Sequence, residues 1–102
     1  MPGEGMLARM ISDRLQAYVS RRFAPDEVEP VLGLLAEAIH GEPGDTPEGT
    51  ERIQAAVVLV ADGSSQRFLH AVSIAQGDWR DILVWADLAH KDWADRLKAE
   101  LS

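Results

Sequence analysis

The chain has 102 residues, 46% hydrophobic and 26% charged, a balance that suits one folded domain and argues against disorder as the default reading. A net charge of -7, with Arg21-Arg22 as the only basic doublet, argues against a nucleic-acid surface, which gathers Lys and Arg on one face. The absence of cysteine excludes disulfides, thiolate metal sites and cysteine nucleophiles.

Residues 1–5 hold Pro2, Gly3 and Gly5 and read as a frayed end. From Met6 the apolar positions Leu7, Met10, Ile11, Leu15, Tyr18, Val19 and Phe23 trace one stripe of an amphipathic helix. Ala24-Pro25-Asp26-Glu27 ends it. Pro30 would break a helical hydrogen bond, so the spacing predicts a short turn over 25–29 and a helix from Pro30 to His40. That helix buries Val31, Leu34, Leu35, Ala38 and Ile39 and stops at Gly41. Residues 41–49, rich in Gly and Pro, form the one conspicuous internal loop.

Thr46-Pro47-Glu48 opens the next element, which contains seven consecutive apolar residues from Ala55 to Ala61. Periodicity alone cannot separate a buried strand from a buried helix here. No other segment resembles a strand, and a lone strand leaves its backbone groups unpaired, so a helix is expected. Being apolar nearly all round, the Ile53–Val60 stretch should lie at the centre of the fold or across an oligomer interface.

Ser64 or Ser65 caps a following helix that turns Phe68, Leu69, Val72 and Ala75 inward and ends at Gly77. Asp-Trp then occurs twice, fourteen residues apart, as Asp78-Trp79-Arg80-Asp81 and Asp92-Trp93-Ala94-Asp95. In each, the first carboxylate can cap free N–H groups and the second sits in the first turn, where the helix dipole favours negative charge. No Gly or Pro interrupts 78–102, so one continuous helix is an alternative, with Trp79, Ala86 and Trp93 on a seven-residue repeat. The recurring cap favours two helices with a break near Ala89–Lys91.

The stretch from Glu51 to Leu101 resembles a scattered group of short bacterial proteins of uncharacterised activity, through an Arg-Ile-x-x-Ala-Val start, a glycine about ten residues later, and Asp-Trp-Arg-Asp before an apolar helix. The matching residues are Arg52, Ile53, Ala56, Val57, Gly63, Asp78, Trp79, Arg80, Asp81, Leu83 and Ala86. They cover about half of the chain. The resemblance implies a small helical bacterial protein and carries no activity with it.

Of the three histidines, His40, His70 and His90, no pair has the four-residue spacing of a helical metal site. His40 and His90 precede predicted helix stops, where a cation offsets the dipole. Asp87 and Asp92 flank His90 and are its nearest carboxylates. Ser64-Ser65 lacks the Gly-x-Ser-x-Gly elbow of a nucleophile, and capping accounts for both serines. The helix–Gly63–helix unit invites a helix-turn-helix reading, but its second helix offers only Gln66, Arg67, His70 and Gln76 as polar readers. Trp79 and Trp93, in first turns, should seal helix junctions. Trp85 is the one expected at the surface, and Trp85, Leu88 and Trp93 together form the candidate interface.

These readings converge on an all-α fold, a single domain over 1–102 with five or six short helices bundled around a central apolar helix. No catalytic, metal-binding or cofactor-binding residue is expected. No stretch reads as a signal peptide or a membrane span of roughly 20 apolar residues, so the cytoplasm is the expected compartment. The leading function is a non-enzymatic protein–protein interaction module, with a homodimer as one form of it. Three alternatives stand beside it: an acidic antagonist or regulator (immunity, antitoxin-like or DNA-mimic protein), an enzyme pairing a histidine with Asp87 or Asp92, and DNA binding, which the acidity disfavours.

Overall fold

A computed structural model describes residues 11–39 and 47–101. The proposed frayed end, the helix start at Met6 with Leu7 and Met10, His40 and the Gly41 stop all lie outside these residues. Among the described residues there are six helices and no strand.

Helix α1, Asp13–Arg22, starts where Ser12 Oγ accepts from the Leu15 N–H, so the stripe read as one helix from Met6 is not helical at Ile11 and Ser12; it ends with Arg21 and Arg22 on the negative pole of the dipole. Leu15, Tyr18 and Val19 form its buried stripe, flanked by buried Ile11 and Phe23. Ser12 also donates to Glu51 Oε2 at 2.5 Å, and Arg14 closes a two-pronged fork on the same carboxylate at 2.7 Å per prong. Arg14 holds the Glu51 carboxyl below its ordinary range, and this half-buried pair anchors α1 to α3 (Pro47–Ala61).

Helix α2 runs Pro25–Ala38, so the turn expected over 25–29 is helical and the predicted start at Pro30 is wrong. The reason is positional. Pro25 occupies the first helical position, where its missing N–H is harmless, and Pro30 lies only one turn further on. Its ring removes a single bond, the one to the Asp26 carbonyl, and both residues are exposed, so water can serve that acceptor. Extending the helix buries Val31, Leu35 and Ala36 against the core, which offsets one lost bond.

Helix α3 begins at Pro47, so residues 47–49 belong to it and not to the preceding loop. The seven-residue apolar run is helical, as expected, and Ile53, Gln54, Ala55, Ala56, Val57, Val58 and Ala61 are all buried. It packs against α1, against α4 (Ser65–Gly77) and against α5 (Trp79–Trp85), which makes it the axis of the bundle. The buried side chains form one cluster, and the radius of gyration is 12.4 Å, close to the ~13 Å of a compact 100-residue chain.

Ser64 caps α4 by accepting from the Arg67 N–H. Asp78 serves two helices: its N–H closes α4 on the Ile74 carbonyl, and its carboxylate caps α5 through the Arg80 N–H at 3.0 Å. Helix α5 ends in a Schellman turn, with Leu88 N–H on the Leu83 carbonyl and Asp87 N–H on Val84, and with Asp87 in the left-handed region at φ 61°. The last helix, α6, spans Trp93–Leu101. Residues 79–101 are therefore two helices whose break, 86–92, contains the expected Ala89–Lys91. Leu97 and Leu101 of α6 are buried, and Arg21 of α1 donates to the Leu101 carbonyl at 3.2 Å.

Candidate functional site

Three places on this scaffold present chemistry or unusual surface. The first is an open groove of about 270 Å³ between α2 and α4. Val31, Leu34, Phe68 and Leu69 give it an apolar floor, and Phe68 is fixed by an edge-to-face contact with Phe23 at 6.0 Å. Asp26, Glu27 and Ser65 line its polar side, with Ser65 Oγ donating to Glu27 Oε2. Only Ser64 of the serine pair is thus a cap, and Ser65 instead ties α4 to α2. Leu69, expected in the core, is 58% exposed at the groove.

The second place is the outer face of α5, where Val84 and Trp85 are 67% and 59% exposed. Both follow from the period of the helix: Ile82 and Leu83 take the inward positions, and the next two residues swing out. The His70 ring of α4 lies 6.0 Å from the Trp85 ring and steadies it. Trp85 thus lies at the surface, as its position in the sequence suggested. Leu88 does not: the left-handed Asp87 turns the chain back, and Leu88 is fully buried in the core cluster, unable to meet a partner. Trp93 packs half-buried against the core beneath Arg52, whose guanidinium lies 4.7 Å from the ring centroid. The three expected interface residues therefore do not form one patch.

The third is His90, in the exposed connection between α5 and α6. Its Nε2 lies 3.1 Å from Asp87 Oδ1, and its Nδ1 is hydrogen-bonded to Asp92 Oδ1. A neutral imidazole has one N–H and cannot donate at both nitrogens, whereas an imidazolium can. The Asp92 hydrogen bond, with a smaller contribution from Asp87, pulls the His90 pKa above its ordinary 6.5, and His90 in turn holds Asp92 below 3.8. Asp87 is shared with Arg96 Nε at 3.3 Å. By linkage, the His90 contribution to stability is complete below pH 6.5 and is lost as pH rises through the raised value, while that of Asp92 is lost as pH falls below 3.8. In an NMR titration His90 should turn over above 6.5, and in Asp92→Asn its midpoint should fall. An unchanged midpoint in that variant would show that the pair does not form in solution. The histidine–aspartate pairing foreseen for an enzyme is thus present, on an exposed turn and within three residues of sequence, the geometry of a closed connection between helices.

His40 lies outside the described residues, and among the described residues no three His, Asp or Glu side chains converge as a metal site. Gln66 and Arg67 are exposed, as a DNA-reading helix requires, but α4 is held by three other helices, α2, α3 and α5. No helix among the described residues is long and apolar enough to cross a membrane.

The residues of the Arg-Ile to Asp-Trp-Arg-Asp pattern serve the scaffold. Arg52 reaches across the bundle to the Leu88 carbonyl with both Nε and Nη2, at 2.9 and 2.6 Å, and desolvation there lowers its pKa. Ile53, Ala56, Val57, Leu83 and Ala86 are core, and Gly63 makes the α3–α4 turn. Asp78 is the cap, and Arg80 folds back over Trp79 while pairing with Asp78 at 3.2 Å. No family model, curated protein or solved structure matches the chain.

Proposed function

We propose that this protein is an interaction module that acts by contact with another protein in the cytoplasm, and that it does not turn over a substrate. What supports this reading is Trp85. A tryptophan more than half exposed, next to an equally exposed valine and held by His70, is an uncovered apolar surface, and among the described residues only Leu69 of the other large apolar side chains is as exposed. Covering such a side chain stabilises a complex by about 1.5–3 kcal/mol, and tryptophan is enriched among residues that dominate binding energy. A second copy of the chain is one partner this surface would accept.

A photo-reactive residue at position 85, compared with one at the exposed Glu37 on α2, tests the reading inside the cell that makes the protein. Discrete crosslinked species are expected from position 85 and not from 37. Equal or absent crosslinking at the two positions would remove the proposal. Light scattering of purified wild type and Trp85→Ser then separates self-association from a foreign partner, because the exposed position tolerates serine without unfolding.

A further inference from the structure

We infer that the groove between α2 and α4 docks a basic–apolar segment of a partner protein, anchored by an arginine whose guanidinium sits on Glu27 and Asp26 and whose stem lies along Leu34 and Leu69. This rests on the reading of the protein as an interaction module and uses a surface separate from Trp85.

Two half-buried glutamates in the chain each accept a hydrogen bond from a serine that caps or opens a helix: Glu51 from Ser12, and Glu27 from Ser65. At Glu51 the carboxylate is completed by the fork of Arg14. Of the three half-buried carboxylates among the described residues, Glu51 and Asp78 pair with arginines and Glu27 pairs with no cationic side chain; its exposed neighbour Asp26 has none either, as is true of several exposed carboxylates elsewhere. The groove thus presents two carboxylates, offset only by the N-terminal dipole of α2, beside an apolar floor. Pro30 contributes further, since it leaves the Asp26 carbonyl on the same turn without a donor four residues on.

A guanidinium fits this arrangement better than an ammonium. It carries five donors in a planar fork suited to a carboxylate, and its three-carbon stem covers apolar surface while the head stays polar. The shape favours a side chain of a partner over a free small molecule: a groove of about 270 Å³ that is open to solvent does not enclose a ligand as small-molecule cavities do. The Leu69 side chain, 58% exposed at the groove, offers the apolar neighbour of that arginine a surface to cover.

The full chain, titrated by NMR with N-acetyl-leucyl-arginyl-leucine amide, tests this directly. Saturable shifts are expected at Glu27, Ser65 and Leu69. Replacing the arginine by citrulline, which keeps the shape and removes the charge, should weaken binding about tenfold. In Glu27→Gln that preference for arginine should shrink to the part that Asp26 supplies. Leu69→Lys, at an exposed position that leaves the fold intact, should abolish binding of both peptides. Equal affinity for the arginine and citrulline peptides, an unaltered preference in Glu27→Gln, or no saturable shifts would each overturn the inference. N-acetyl-arginine amide binding as tightly as the tripeptide would also overturn it, by showing a site for a small cation and not for a segment. If the peptides fail while position 85 still crosslinks, the groove reading alone is wrong.

Discussion

Gly63→Ala should destabilise the protein by about 2–4 kcal/mol, a large part of the roughly 5–15 kcal/mol that holds a domain of this size together. Two separate effects add. Gly63 has φ 83°, a conformation in which an L side chain is strained by on the order of 1 kcal/mol or more. A Cβ at this position would also stand 2.6 Å from the Arg22 carbonyl oxygen, closer than carbon and oxygen can sit. Neither side of that contact is a flexible side chain. One is the turn between α3 and α4, the other the last residue of α1, so relief requires moving a helix end by several tenths of an ångström. The Arg22–Asp62 ion pair at 3.9 Å, both side chains exposed, is too weak to hold the turn in place against that push. Gly33→Ala is the control. Gly33 lies inside α2 with an ordinary φ, and nothing stands within 4 Å of the place a methyl group would take, so alanine there should stabilise by about 0.5–1 kcal/mol. Urea denaturation of both variants decides the matter: midpoints shifted in opposite directions are expected, and a Gly63→Ala midpoint no lower than that of Gly33→Ala would show that the turn does not dock on α1 as described.

The same turn illustrates what could be read in advance. Caps and stops are local chemistry, so Asp78, Ser64 and Gly63 marked their helix ends within a few residues of sequence. The apolar run of α3 was assignable because a single strand would have stranded its backbone, a global constraint that needs no contacts. Legibility failed where a tertiary gain overrode a local rule. Pro30, the sixth residue of α2, does cost the helix a hydrogen bond, and only the burial of Val31, Leu35 and Ala36 decides that α2 begins before it. Leu88 failed for a related reason: the repeated cap announced a break near Ala89–Lys91, but the Schellman turn that buries Leu88 comes earlier and places Asp87, not glycine, in the left-handed position. The α2–α4 groove was invisible for both reasons at once. Its polar side belongs to the turn of α2 that Pro30 disguised, and Glu27 and Ser65 are separated by 38 residues, too far for any spacing rule to join them.

Gln54→Ala should also destabilise by about 2–4 kcal/mol, through a mechanism unrelated to strain. Gln54 is the one buried polar side chain among the described residues, at 1% exposure in the middle of the central helix. Its Nε2 donates to the Ile39 carbonyl at 3.0 Å. Ile39 caps the C-terminus of α2, where the last four carbonyls of a helix have no partner of their own, and it too is buried. Many helices meet that need with a glycine turn or water; here a side chain from α3 does so, and the bond doubles as the tie between the two helices. Truncation leaves a buried carbonyl unsatisfied, worth about 1–3 kcal/mol, and opens space in a tightly packed axis. Gln54→Leu separates the two contributions, because leucine restores most of the volume and none of the donor. The leucine variant should therefore recover part of the loss, and in both variants amide exchange should quicken at the last turn of α2 while α5 and α6 keep their protection. A leucine variant as stable as wild type, with α2 exchange unchanged, would mean that the glutamine contributes packing alone and that the α2–α3 junction is held by its apolar contacts.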